Sequence, residues 1–493
     1  MSIKSNILIL WISFLNLGLC QAQNQSGQFY HEQYRPQIHF SPKEHWTNDP
    51  NGMVYFKGTY HLFFQYYPGG TTWGPMHWGH AISKDLVHWK ELPVALYPDS
   101  LGYIFSGSCV VDSNNTSGFG KDGKIPLVAI FTHHDPKGER EGKNNFQNES
   151  LAYSLDEGNS WTKYSGNPVL RNPGIRDFRD PKVMWYAKEK KWVMILATLD
   201  HITFYSSANL KEWKKESEFG KEVGAHGGVW ECPDLFPLIL NGETYWVLIA
   251  NINPGGPNGG SATQYFVGEF DGNKFTPIDN KTRWLDYGPD EYAGITWSNT
   301  GNRKIFLGWM SNWQYANQVP TQKWRNAMTI PRELTLNRVS GQILVASEPV
   351  KELESVYQKT LNLGSKFSNL PQQYVLKLNP DNDSSYSIVL SNDAGDQLVI
   401  GYDNNRKQYY IDRSKSGKVD FNTAFAKIAF SPRFVNTAQS NLKLIIDASS
   451  VELFADDGLT VMTSVFFPTK PYDHIELNSI KGLQMIPLKS IWQ

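Results

Sequence analysis

The hydrophobic residues of this chain fall in short runs with the length and composition of β-strands. Runs such as Val193-Met194-Ile195-Leu196 and Tyr245-Trp246-Val247-Leu248-Ile249 are bounded by Gly, Asn and Asp, the residues that turn a chain between strands. Helical periodicity is scarce, so the pattern predicts an all-β protein. One phrase recurs loosely. Ser83-Lys84-Asp85-Leu86-Val87-His88-Trp89 returns as Ser154-Leu155-Asp156 leading to Trp161, and as Ser207-Ala208-Asn209-Leu210-Lys211-Glu212-Trp213. Each copy predicts a hairpin in which the polar residues turn the chain and the Trp begins the next strand. A hairpin repeated at this spacing predicts the blades of a β-propeller, whose inner strands converge on one channel from distant parts of the sequence. The repeat alone leaves roughly four to seven blades open.

From about Leu361 the texture changes. Segments such as Tyr386-Ser387-Ile388-Val389-Leu390, Leu442-Lys443-Leu444-Ile445-Ile446 and Val451-Glu452-Leu453-Phe454, spaced by Asn, Asp and Gly turns, predict a two-sheet β-sandwich. Pro349 to Gln358 reads as a connector with a helical turn. A length of 493 residues agrees with two domains. The expected boundaries are 38–348 for the propeller, 349–360 for the linker and 361–493 for the sandwich. No exposed aromatic cluster can be picked out in the last part, so it is expected to be a structural buttress.

The N-terminus carries an export signal: Lys4 precedes an apolar run from Ile7 to Leu19, too short to span a bilayer, which takes about 20 apolar residues. Cleavage after Ala22, with Cys20 and Ala22 as the small residues, gives a signal peptide at 1–22 and a periplasmic or extracellular protein. A lipid on Cys20, in Leu17-Gly18-Leu19-Cys20, is the competing reading, disfavoured because Leu19 is a poor residue before such a cysteine. Cys109 and Cys232 remain; they can form at most one bridge, or Cys109 is a buried small hydrophobe and Cys232 serves beside Glu231.

Composition narrows the ligand. A formal net charge of -1 leaves no basic face for nucleic acid, and aromatics at 14% against 19% charged residues suit a neutral ligand with apolar faces. Neither metal nor cofactor is expected: the adjacent histidines His133-His134 have no Cys or carboxylate at ligand spacing. The Gly-rich run Asn253 to Gly260 lacks the Lys-Ser/Thr pair of a phosphate loop and reads as a flexible rim loop.

Three carboxylates stand out because each is pinned near a proline. Asp49 lies in Trp46-Thr47-Asn48-Asp49-Pro50-Asn51-Gly52, good turn composition that predicts an acid held near a strand end. Asp180 lies in Arg179-Asp180-Pro181, and Glu231 in Trp230-Glu231-Cys232-Pro233. Paired acids of this kind suit glycoside hydrolysis, where one protonates the leaving oxygen and another attacks or supports the sugar cation. In chain order these motifs, with Phe63-Phe64-Gln65-Tyr66-Tyr67-Pro68, Trp78-Gly79-His80-Ala81-Ile82-Ser83 and Phe105-Ser106-Gly107-Ser108, resemble those of glycoside hydrolase family 32, the β-fructosidases. Thr47 departs from the Met and Tyr67 from the Asn that many members carry.

The resemblance implies five blades and a C-terminal sandwich. It implies Asp49 as nucleophile, Glu231 as general acid/base and Asp180 as transition-state stabiliser, with sugar contacts from Asn48, Gln65, Trp73, Ser106 and Arg179, and from Trp313 as a weaker candidate. Its substrates would be fructans or sucrose. Clustering is expected to keep Glu231 protonated and Asp49 ionised, with Arg179 holding Asp180 ionised. Asp286 to Ala293 and the Trp309 to Trp324 region resemble rim loops of exo-acting members. An endo-acting fructanase and a non-catalytic fructan-binding protein are the competing readings; retention of all three acids argues against the latter.

Overall fold

A computed structural model describes residues 29–381, 383–438, 440–480 and 482–492. The expected signal peptide and Cys20 lie outside the described residues. The protein is all-β: among those residues helix is confined to Pro136–Arg140 and a 3-10 segment, Lys351–Val356, inside the expected connector. No helix among them is long and apolar enough to cross a membrane.

Before residue 350 the strands form five sheets, each built on four antiparallel strands laid side by side in chain order. Their first strands are His45–Phe56, Tyr103–Val111, Phe178–Tyr186, Val229–Leu240 and Tyr292–Thr296. Each packs on the next, and the fifth returns to the first, so the five close into a cycle. The repeated phrase is a turn with a common mechanism. The hydroxyls of Ser83, Ser154 and Ser207 accept the backbone N–H groups of Asp85, Asp156 and Asn209, whose side chains cap backbone N–H groups farther on. After residue 360 two six-stranded sheets face each other over a core that includes Leu376, Ile388, Ile400, Leu444 and Leu453.

The seam between these halves overturns two readings. Asp286 to Asp290 is a joint, not a rim loop. Asp286 pairs with buried Arg332 and accepts from Thr463, Asp290 pairs with Arg413, and Tyr287 belongs to the sandwich core. Of the Trp309 to Trp324 region, Trp309 and Trp324 are buried, while Asn317 accepts the Trp73 N–H. Nor is Asn253 to Gly260 loose: Asn258 donates to the carbonyls of Tyr287 and Phe430 and accepts the Phe430 N–H, which ties the run to the sandwich. Short polar segments look alike in sequence whether they meet solvent or a second domain.

His39 sits in this seam without exposure, between Asp447 at 2.7 Å and Glu452 at 2.9 Å. Burial disfavours its charge, but the two carboxylates outweigh burial and raise its pKa to about 9. The folded protein therefore holds this proton more tightly than the unfolded chain. The stabilisation is complete below the ordinary value of 6.5 and is lost as pH rises through 9. Thermal unfolding midpoints should fall between pH 7 and 9 in the wild type, and His39→Gln should largely abolish that slope. An unchanged slope would assign it to other groups.

Candidate active site

In all five first strands, two residues oppose one residue of the neighbouring strand at the same end of the cycle. The extra pairs are Asn48-Asp49, Phe105-Ser106, Asp180-Pro181, Cys232-Pro233 and Ala293-Gly294. These are β-bulges, which take residues out of the ladder and re-aim their side chains. Proline lacks an N–H, so it costs little where the ladder is already broken. The WTNDPNG motif is accordingly not a turn, as its composition suggested, but a bulged stretch inside His45–Phe56. Its Gly52 has φ +55, and a Cβ there would lie 2.6 Å from Trp78. Asp180, Cys232 and Ala293 also have positive φ, at 63°, 41° and 55°, conformations that cost free energy in any non-glycine residue and tend to collect at functional sites.

Residues of three of these bulges, with Glu231 beside a fourth, line a cavity of about 330 Å³. It is lined by every residue expected from the sequence: Asn48, Asp49, Gln65, Trp73, Ser106, Arg179, Asp180, Glu231 and Trp313. Both oxygens of Asp49 are held, Oδ2 by the Ser106 hydroxyl at 2.7 Å and Oδ1 by the Asn48 amide at 2.8 Å. The Cys232 thiol points at the same Oδ2 from 3.4 Å, and the Cys232 N–H donates to Asp180 Oδ2 at 3.0 Å. Cys232 thus stands among all three acids, free and buried like Cys109, so the optional bridge is absent. Glu231 is gripped by Arg179 through Nε at 3.2 Å and Nη2 at 2.9 Å and accepts the Tyr292 hydroxyl. Trp313 is stacked on Trp46, with ring centroids 5.9 Å apart, and serves the core and the cavity at once.

Burial dominates the electrostatics of the two aspartates. Burial, then the charge of Glu231, pushes the Asp49 carboxyl up, against the hydrogen bonds from Ser106 and Asn48 that pull it down. Asp180 is raised to about 7: burial outweighs Arg179, and Glu231 and Asp49 add repulsion. Arg179, which is paired with Glu231 and with Asp177 at 2.7 Å and lies 3.9 Å from Asp180, pulls the Asp180 pKa down but does not offset burial.

Two family models cover the chain: the glycosyl hydrolases family 32 N-terminal domain matches residues 39–348, and the family 32 C terminal matches 341–492. The chain belongs to glycosyl hydrolase family 32. It is similar to a levanase of Bacillus subtilis, at 46% identity over 99% of this chain and 75% of the relative. It is also similar to an extracellular exo-inulinase of Aspergillus niger, at 42% identity over 92% of this chain and 93% of that one. Among solved structures, the exo-inulinase of Aspergillus awamori superposes with a TM-score of 0.87 at 39% identity, covering 94% of this chain and all of the other. A fructofuranosidase of Schwanniomyces occidentalis in complex with fructosylnystose does so at 0.84 and 33% identity, over 94% of this chain and 99% of that one.

The sequence reading of this family 32 site missed several groups. Tyr292 was read as part of a rim segment, and nothing local marks it as the partner of Glu231. Asp177 and Gln147, both partners of Arg179, were legible only for Asp177, two residues before the motif. His134 lines the cavity, stacked on Phe105 with centroids 4.2 Å apart.

Asp180 yields a stability prediction whose sign follows from its raised pKa. The folded state holds its proton more tightly than the unfolded chain, so ionising it costs stability as pH climbs from the ordinary 3.8 towards 7. Asp180→Asn, which removes that cost, should unfold at a higher temperature than the wild type at neutral pH, with the advantage shrinking towards pH 4. An advantage that grows on acidification would contradict the assignment.

Proposed function

We propose that this family 32 glycoside hydrolase is a retaining, exo-acting β-fructosidase that releases fructose from the ends of fructans and from sucrose. The observation that carries the reading is the convergence of Asp49, Asp180 and Glu231, from three separate bulged strands, in one cavity with the expected polar contacts. Relatives named levanase, exo-inulinase and invertase support the substrate class. The exo mode draws on relatives named exo-inulinase.

In this mechanism Asp49 attacks the anomeric carbon while Glu231 passes a proton to the departing oxygen. The fructosyl unit is then covalently bound to Asp49. Water, deprotonated by Glu231, releases fructose with retained configuration, which calls for carboxyl groups about 5 to 5.5 Å apart. The anomeric carbon of fructose is fully substituted, so its transition state is strongly cationic, and Asp180 stabilises it when ionised. The grip of Arg179 and Tyr292 on Glu231 fixes the acid's direction before substrate arrives.

The five sheets are read as the five blades of a propeller at 38–348, supported by the closed cycle of their first strands. The sandwich is assigned to 361–493 beyond a linker at 349–360, as the structural buttress of the propeller. Export follows from the apolar run after Lys4 and accords with relatives named as extracellular. Time-resolved chromatography of products from levan, inulin and sucrose tests the function. Fructose should dominate early while long polymer persists. An early ladder of oligosaccharides would establish endo cleavage instead, and no fructose from any of the three would remove the fructosidase reading.

A further inference from the structure

Tyr67 stands where many family members carry Asn, at the end of strand Thr59–Tyr67, and the loop that follows is folded around its ring. A Cβ built on Gly69 would lie 2.5 Å from the Tyr67 hydroxyl oxygen, one on Gly74 2.6 Å from a ring carbon, and one on Gly70 3.7 Å from the same carbon. The first two are closer than any real side chain could come. None of these three glycines has a φ in the left-handed region, so backbone freedom does not explain them; clearance for the ring explains Gly69 and Gly74, while a side chain at Gly70 would meet the ring at ordinary contact distance. Between them sits Trp73.

Trp73 is 39% exposed, whereas Asn48, Gln65 and Ser106 on the cavity floor are exposed by 4% or less. Its ring stands edge-on to Phe105 at 6.2 Å, and its backbone N–H donates to Asn317 Oδ1 at 2.9 Å. A terminal sugar that reaches the buried acids occupies the floor, so the exposed indole at the mouth meets whatever is linked to that sugar. Aromatic faces suit the apolar face of a second sugar ring.

We infer that Tyr67 is a positioning residue: its ring shapes the loop 69–74, fixes Trp73 at the mouth, and so sets how well an oligosaccharide is accepted in place of a small leaving group. The inference deepens the fructosidase reading and depends on it. A misplacement of the indole should weaken leaving-group contacts and leave the chemistry at the floor untouched.

The test compares KM and kcat for levan-type and inulin-type fructo-oligosaccharides with those for methyl β-D-fructofuranoside. Tyr67→Asn should raise KM for the oligosaccharides about tenfold and leave kcat/KM for the methyl fructoside within about twofold. Tyr67→Phe, which keeps the ring, should behave as wild type. Gly74→Ala approaches the same contact from the other side and should reproduce the KM increase. In the Tyr67→Asn/Gly74→Ala double variant the added methyl has room, so the two effects should not add. Additive losses, equal losses on both substrate types, or unchanged oligosaccharide KM in both single variants would overturn the inference. A wild type inactive on every fructoside would take down the fructosidase reading as well, and is told apart by that result alone.

Discussion

Glu231→Gln and Asp49→Asn should each lower turnover on levan, inulin and sucrose by at least about a thousandfold, with the fold intact. Both changes are isosteric. The glutamine side chain would keep an oxygen for the Arg179 guanidinium and the asparagine side chain one for the Ser106 hydroxyl, so each variant gives up one accepted hydrogen bond, from Tyr292 or from Asn48, and keeps the others. What each removes is the ability to carry a proton or to attack. Circular dichroism and an unfolding midpoint close to wild type would establish that the loss is chemical. The roles are separated by azide with a fructoside that has a good leaving group. Glu231→Ala should be rescued to a fructosyl azide of retained configuration, because azide replaces water on the covalent intermediate, whereas any product from Asp49→Ala should be inverted. The opposite stereochemistry would exchange the two assignments, and near wild-type turnover in either isosteric variant would remove them.

The largest effect on stability is expected at Arg332→Met. Arg332 has no exposure and bridges Asp286 at 2.9 Å and Glu452 at 3.0 Å through separate nitrogens, with Thr463 at 2.7 Å. Its removal leaves buried Asp286 without a cation and Glu452 with His39 alone. Breaking a buried pair from one side costs about 3–5 kcal/mol, mostly the penalty of the charge left unpaired. The denaturation midpoint should fall accordingly, and Arg332→Met combined with Asp286→Asn and Glu452→Gln should recover much of the loss. A single variant within about 0.5 kcal/mol of wild type would mean that the seam is not held by this residue.

Fold class was legible because strand-length apolar runs and a recurring Ser-x-Asp turn are local features. The candidate site was legible for a different reason: Asp49, Asp180 and Glu231 each carry a proline nearby, and a proline beside a carboxylate marks a place where the ladder is broken. Composition misled only about the form of the break, since Asn, Asp, Pro and Gly serve a bulge as well as a turn. Resemblance to exo-acting members put Asp286 and Asp290 at the rim, whereas their partners, Arg332 and Arg413, lie in the seam. The family resemblance named the nine cavity residues in advance, but their partners were beyond its reach.

The sequence by itself determined the all-β class, the two textures on either side of residue 350 and which side chains line the cavity, because propensity, turn composition and motif identity are written within a few residues of each position. Only the tertiary structure decided where protons and charges reside. The raised Asp49 and Asp180, the grip of Arg179 and Tyr292 on Glu231, and the charged His39 depend on burial and on through-space distances between residues far apart in the chain. Electrostatic energy follows distance and solvent exclusion in space, and a linear sequence specifies neither.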